Sequence, residues 1–385
     1  MKQSSYILSA LLLSTLLLTF PACRRDDVDL RFRDIRLSQV DSIGWYWEID
    51  DPLRGKQPLI TVATEPMPLH FFGWEAKDDS VVHLSFPKNT SRCNRVWLTY
   101  RMGGWNQGPA EWDMTTMIKI YDRQNNQWLE LVRAITPYGG RFNADWEKIF
   151  YIDITEFLPL LQGDVDLRIF YCGWDATDKR AHTAQLTFSF FEERTSFGEQ
   201  LGRQKIYDST LPNEGGNGYR AWSYGVQGWS IEDATRLGPR TIDIPAGTKQ
   251  VLLRVCITGH GQDAYNGDGY FPNRANTAAT NCAEFDHNHY TISLNGQVMD
   301  LVGDIWEINM GTNNYSQAGT YKYNRAGWGP GKPCNIHHWM IGKIPPKGEQ
   351  LTIDFDLEEY ISPCTKPNDD KVACYYVMAD AFFYR

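Results

Sequence analysis

The chain of 385 residues has one long apolar run, at 7–20, and it is shorter than the ~18–20 residues a spanning helix needs. No later stretch reaches that length, so no membrane-crossing helix is expected. The chain also lacks an excess of positive charge. Lys and Arg number 38 against 47 Asp and Glu, a net charge of −9, which argues against a nucleic-acid partner. No glycine-rich loop joins a strand to a helix, and no G-x-S-x-G elbow, C-x-x-C pair or H-E-x-x-H motif occurs. Nucleotide, serine-nucleophile, dithiol and local zinc-hydrolase chemistries therefore have no starting point. Eight cysteines are too few for a disulfide-dense scaffold.

Aromatic residues stand out: 14 Trp, 20 Tyr and 18 Phe make 14% of the chain. An acidic protein rich in rings suits both sugar stacking and plain sheet cores. At the N-terminus, Lys2, the apolar run and Ala22-Cys23 read as an export signal with a lipoprotein-type processing site. The expected outcome is removal of residues 1–22 and acylation of Cys23. That places the protein as an outer-membrane lipoprotein, facing the periplasm or the cell surface and membrane-associated only through lipid. Seven cysteines remain after Cys23, an odd number, so at least one thiol stays free. Cys364 and Cys374, flanking a turn-rich segment, form the favoured disulfide pair.

Short apolar or aromatic runs alternate with turns, which predicts strands at 96–100, 117–121, 129–135, 150–154, 167–170 and 186–191. A second group falls at 251–257, 290–294, 338–341, 351–355 and 375–384. Residues 157–161 read as one helical turn, and no long amphipathic helix appears. The expected architecture is all-β, with two antiparallel sandwiches. The divisions are 1–22 signal, 23–66 lipid attachment and a small N-terminal segment or subdomain, 67–203 first domain and 204–385 second domain.

Several clusters carry chemistry. Glu111-Trp112-Asp113 lies in a loop before a strand, where a partly desolvated acid suits general acid–base work. In the run 282–290, Glu284 alternates with Asp286 and Asn288, and Phe285 with His287 and His289. The two histidines invite a metal reading with His260, His337 or His338 as third ligand. No local signature completes it, so no metal is expected. Asp263, Asn266 and Asp268 sit in a long polar loop without an EF-hand spacing. Arg325-Ala326-Gly327-Trp328 combines a cation and an indole with glycine, suited to a carboxylate or a sugar face.

These segments resemble the bacterial peptide-N-glycosidase F family, over about residues 68–385. The resemblance rests on Ala110-Glu111-Trp112-Asp113, 133–138 (RAITPY) and 152–157 (IDITEF) in the first half. In the second half it rests on 257–261 (ITGHG), Cys282-Ala283-Glu284, 289–292 (HYTI) and Asn324-Arg325-Ala326-Gly327-Trp328. It implies two adjacent eight-stranded jelly rolls, a cleft between them and amide hydrolysis that releases N-glycans from asparagine. It puts the family's essential aspartate on Asp113, its sugar-holding glutamate on Glu284, its arginine on Arg325 and a cleft tryptophan on Trp174; the expected catalytic residues are Asp113 and Glu284, with substrate contacts from Glu111, Trp112, Cys172, Trp174, Asp175, His260, Arg325 and Trp328. N-glycosylated proteins or glycopeptides are the implied partners, no cofactor is needed, and a monomer is expected. The chain departs from the family at Cys172, where the resemblance implies a glutamate. Asp175 or Glu111 are the candidate replacements, and a glycan-binding lipoprotein without catalysis, or a hydrolase of another linkage, is the alternative reading. A family cysteine falls on Asp286 and another on Gly329. Cys282 is then expected to pair elsewhere, with Cys334 or Cys256.

Overall fold

The structure is a computed structural model. It describes residues 36–39, 46–47, 51–70, 79–171, 177–193, 197–208, 237–260, 284–285, 287–307, 316–342, 350–358 and 374–385. The first strands are β1 (Arg36–Gln39), β2 (Tyr46–Trp47), β3 (Ile60–Ala63), β4 (Met67–Leu69), β5 (Asp79–Phe86), β6 (Arg95–Asn106) and β7 (Thr115–Asp122). Next come β8 (Gln127–Ile135), β9 (Glu147–Asp153), β10 (Gly163–Tyr171), β11 (Arg180–Phe191), β12 (Gln200–Asp208), β13 (Arg240–Asp243) and β14 (Gln250–His260). The last are β15 (Asn288–Leu294), β16 (Gln297–Ile305), β17 (Lys332–Pro333), β18 (His337–Gly342), β19 (Gln350–Leu357) and β20 (Cys374–Tyr384). The helical turn expected at 157–161 is a 3-10 helix, Thr155–Leu160.

The sheets show one topology used twice. In the first half, β9-β6-β11-β3 faces β8-β7-β10-β5; in the second, β18-β14-β20-β12 faces β13-β19-β15-β16. Numbering the eight strands of each half in chain order gives the same two orders, 6-3-8-1 and 5-4-7-2, which is a jelly roll in both. All the pairings are antiparallel. The sandwich pair foreseen in the strand rhythm is thus present, with each roll closed over its own apolar core.

The segment boundaries differ from the expectation. Residues before 67 do not form a subdomain among the described residues. Instead β1 pairs with β18 in the second roll, whereas β2 pairs with β9 and β3 with β11 in the first. The 203/204 division falls inside β12, which pairs with β20 along its length. β17, from the second half, pairs with β8 of the first roll. Backbone hydrogen bonding, not chain position, assigns these strands.

The rolls meet along strands buried on both faces. On β14, Val251, Leu253, Val255 and Ile257 enter the core of the second roll, while Leu252 and Cys256 join clusters that include first-roll residues. β20 behaves alike: Val377, Ala379 and Ala381 point to their own core, and Phe382 packs into the core of the first roll. Strand periodicity of two places the even-numbered side chains of both strands on the interface. Two buried arginines there are matched. Arg254, on β14, lies 2.9 Å from Glu156 Oε1 and donates to Glu130 O and Leu131 O, each at 2.8 Å. Arg133, on β8, donates to Thr258 Oγ1 at 2.6 Å, Tyr376 O at 2.9 Å and Glu130 Oε2 at 3.0 Å. Each guanidinium thus crosses between rolls and donates to backbone carbonyls of the other.

Cys93, Cys256 and Cys334 are buried free thiols, so the expected bond from Cys282 to Cys256 or Cys334 is not made. Cys256 and Cys334 instead share a small apolar cluster with Ile135, Trp328, Ile336 and Met378. Cys23, Cys172, Cys282 and Cys364 lie outside the described residues, as does the Cys374 side chain.

Arg254→Ala leaves Glu156 and two carbonyls buried without their donor. The variant is expected to lose about 3–5 kcal/mol of stability, read as a lower melting temperature in calorimetry. An unchanged melting temperature would refute the assignment of Arg254 as an interface clamp.

Candidate active site

Asp113 sits on the loop that leads into β7. Thr136, fully buried after β8, grips both sides of it: its Oγ1 accepts from Met114 N at 2.8 Å and donates to Trp112 O at 3.1 Å. The loop is held further by Gly139 N donating to Ala110 O at 3.1 Å. His182 Nε2 lies 3.1 Å from the same carbonyl. Burial lowers the His182 pKa to about 3, so that ring stays neutral. The acid is thus positioned from the backbone outward, which a solvated loop carboxylate is not.

Glu284 and Arg325 come from the second roll. Glu284 lies in the turn before β15, and its carbonyl accepts from Ala326 N at 2.9 Å. That contact fastens the Glu284 turn to the Arg325 segment. Gly327 has φ +73°, and an added Cβ would stand 2.2 Å from Ile257 O, so only glycine lets this segment lie against β14.

Arg325 is 0% exposed and is the hub of the site. Its Nε donates to Glu284 Oε1 at 3.2 Å. Nη1 donates to Thr320 O at 3.1 Å and Tyr323 O at 2.9 Å. Nη2 donates to Thr320 Oγ1 at 3.0 Å and to the Tyr138 hydroxyl at 3.3 Å. These contacts engage all five N–H groups of a guanidinium. Asp113 Oδ2 lies 3.8 Å from Nη2, so Arg325 acts on it mainly through charge. The guanidinium lies 4.9 Å from the Trp328 ring centre and 5.1 Å from that of Phe285.

The electrostatics of Asp113 are unusual. Its side chain is 14% exposed, and its pKa is pushed up to about 7. Burial is the main cause; Arg325 pulls the other way, and the Glu284 charge adds to the rise. The Tyr138 hydroxyl hydrogen-bonds to Asp113 and lies 2.9 Å from Thr320 Oγ1. Burial, reinforced by the charge of Asp113, raises the pKa of this phenol and keeps its proton on. Gly319, with φ +64°, admits the Tyr138 ring: an added Cβ would lie 2.6 Å from it. The result is a carboxyl poised near neutrality beside a fixed cation and a hydroxyl, a setting suited to proton transfer.

Asp113, Glu284 and Arg325, identified as candidates in the sequence, thus converge from both rolls. Arg325 and Trp328 differ in role from the expectation. Arg325 is enclosed with its donors engaged. Trp328 is 3% exposed, and its indole N–H donates to Gly259 O at 2.6 Å. Neither presents a free face to a sugar; Trp328 walls the guanidinium. His260 stacks between Trp328 and Tyr376, at 5.6 and 4.3 Å, with Nε2 2.6 Å from Thr258 Oγ1. Burial, with Arg133 adding to it, keeps that ring neutral. Glu111 pairs with Arg180 at 3.2 Å on the rim, and Trp112 is 50% exposed beside Tyr138. Cys172, Trp174 and Asp175, and the loop with Asp263, Asn266 and Asp268, lie outside the described residues. Tyr138, Thr136 and Thr320 were not singled out. Thr136 and Tyr138 carry a signal in sequence, inside RAITPY at 133–138, whereas Thr320 carries none.

Asp113→Asn removes a carboxyl whose folded pKa is raised. Protonation stabilises the folded state fully below the unfolded value near 4 and is lost as pH rises through about 7. The variant should therefore gain melting temperature over the parent as pH rises from 4 to 8, by the equivalent of about 1–3 kcal/mol. Calorimetry across that range checks it; a difference independent of pH would contradict the burial argument.

Residues 231–380 match the family profile described as "Peptide-N-glycosidase F, C terminal". That match includes Glu284 and Arg325 but not Asp113. The chain is 24% identical over 254 residues to peptide-N(4)-(N-acetyl-beta-D-glucosaminyl)asparagine amidase F of Elizabethkingia miricola. The alignment takes in 64% of this chain and 63% of that protein's length. Among solved structures, a peptide-N(4)-(N-acetyl-beta-D-glucosaminyl)asparagine amidase matches with a TM-score of 0.64 and 18% identity, over 84% of this chain and 96% of the other. PNGF-II matches with a TM-score of 0.60 and 15% identity, over 84% of this chain and 65% of the other. These structural likenesses establish the fold, the double jelly roll. Together with the sequence matches, they make the chain similar to the peptide-N-glycosidase F family.

Proposed function

We propose that the protein is a peptide-N-glycosidase, hydrolysing the side-chain amide of glycosylated asparagine and releasing the N-glycan. The observation that carries this reading is the convergence of Asp113 and Glu284, one from each roll, on the enclosed Arg325. In the proposed reaction Asp113 orients a water and takes its proton as the water oxygen bonds to the amide carbon. The C–N bond then breaks, the proton passes to the departing nitrogen, and aspartate and a glycosylamine result. Arg325 and Tyr138 hold Asp113 in place, and Glu284 anchors the sugars nearest the amide. Trp112, exposed at the rim, offers a ring for stacking. No metal or organic cofactor enters this scheme. The apolar N-terminal run and Ala22-Cys23 support an exported, lipid-anchored placement, where glycoproteins are met.

Incubating a denatured N-glycoprotein with the protein, followed by mass spectrometry, should show free glycan and asparagine converted to aspartate. Glycan release with asparagine unchanged would reject the amidase reading. Asp113→Asn should lower turnover by at least ~10²-fold. Below pH about 7, kcat/KM should fall about tenfold per unit as Asp113 takes up a proton. Cys172, where the resemblance implies a glutamate, favours a second reading, a glycan-binding protein without turnover. Parent turnover abolished in Asp113→Asn eliminates that reading, whereas glycopeptide binding without conversion supports it.

A further inference from the structure

The proposed amidase reaction uses none of the histidines that follow Glu284. His287 and His289 lie two residues apart at the start of β15, on its exposed side, with Asn288 buried between them. Asp304, on the neighbouring β16, stands directly across from His289 in the strand register. The three offer one donor atom each, all within 4.8 Å of one another. His287 Nε2 is 2.7 Å from Asp304 Oδ1, and the two imidazoles are 4.8 Å apart.

Two further contacts set the rings as ligands need to be set. Trp306 stacks on His287, with centres 5.0 Å apart and planes 10° from parallel, which fixes that imidazole plane. Glu358 Oε2 lies 2.8 Å from His289 Nδ1, so the carboxylate orients the ring and leaves Nε2 as the ligating atom. A carboxylate behind a ligating histidine is the usual outer support of a metal site.

We propose that His287, His289 and Asp304 bind one divalent cation of the zinc class. Two imidazoles and one carboxylate form a donor set that favours zinc, copper or nickel over calcium or magnesium. Tetrahedral zinc separates its ligand atoms by about 3.3 Å. Exposed side chains reach that spacing by small rotamer changes from the present 2.7 to 4.8 Å. His260, His337 and His338, the third ligands considered from sequence, serve elsewhere. His260 stacks on Trp328, His337 Nδ1 lies 2.7 Å from the Tyr290 hydroxyl, and His338 lies beside Glu156. The third ligand comes instead from across the hairpin, a partner no local motif reveals. The bound ion would clamp β15 to β16 at the end that carries Glu284 and Glu307. Glu307 pairs with Lys332 at 2.7 Å and forms a backbone bridge with Arg325. The ion therefore braces the site from outside without touching substrate.

Isothermal titration of the metal-free full chain with zinc chloride tests this directly. One equivalent should bind, with a rise in melting temperature. Cobalt should give the visible absorption of a four- or five-coordinate ion. His287→Ala/His289→Ala, two exposed substitutions, should abolish both, and Asp304→Asn should weaken binding at least about tenfold. Circular dichroism checks that the variants fold. Absence of zinc binding, or equal binding by the folded double variant, overturns the site. Glycan release is not part of the readout, so failure of the amidase reading would leave this result standing.

Discussion

The molecule depends on one requirement: an arginine buried between two sheets must find a partner for its charge and its N–H groups. Arg133 and Arg254 meet it by reaching across the interface to carbonyls and hydroxyls of the opposite roll. Arg325 meets it within the site, where its contacts include Tyr138 of the first roll and Glu284 of the second. A buried guanidinium without such partners costs several kcal/mol. The relative placement of the rolls is therefore tied to the geometry of these groups rather than to apolar contact alone. Apolar burial is non-directional, whereas a bonded arginine also fixes orientation.

The same requirement shapes the chemistry of Asp113. Removing water raises its pKa, and the nearby cation only partly reverses the rise because its N–H groups are engaged elsewhere. A direct two-pronged bond from Arg325 would hold the acid firmly ionised and hydrogen-bonded, leaving it a weak base. The longer separation of 3.8 Å keeps it responsive near neutral pH. The enclosure that stabilises the interface thus also tunes the candidate catalytic group.

The strands legible in the sequence are largely those whose burial makes them apolar. β6, β7, β8, β11, β14 and β20 present nearly continuous hydrophobic or aromatic runs, and each was marked by residues inside it. The strands not recognised include β3, β5, β12, β13 and β16, and each forms the edge of a sheet. An edge keeps one side in water and carries polar residues, as in Asp-Ser-Val-Val-His-Leu at the start of β5, so its pattern merges with that of loops. Asp113, Glu284 and Arg325 were found through short motifs, but their arrangement was not, because distance between rolls leaves no trace in spacing. Trp328 shows the same limit from the other side. An indole beside an arginine and glycines suits a sugar platform in sequence, and only its bond to Gly259 reveals it as a wall.

β17 is only two residues long, yet its chain position and its sheet membership disagree. It follows Arg325 closely, and it completes a sheet of the roll that supplies Asp113. The second half therefore does not carry its own arginine segment in finished form; that segment is anchored on a surface the second half lacks. The two rolls repeat one topology, but the segment that follows Arg325 is completed only on the sheet of the other roll. The unit that carries the site is the pair.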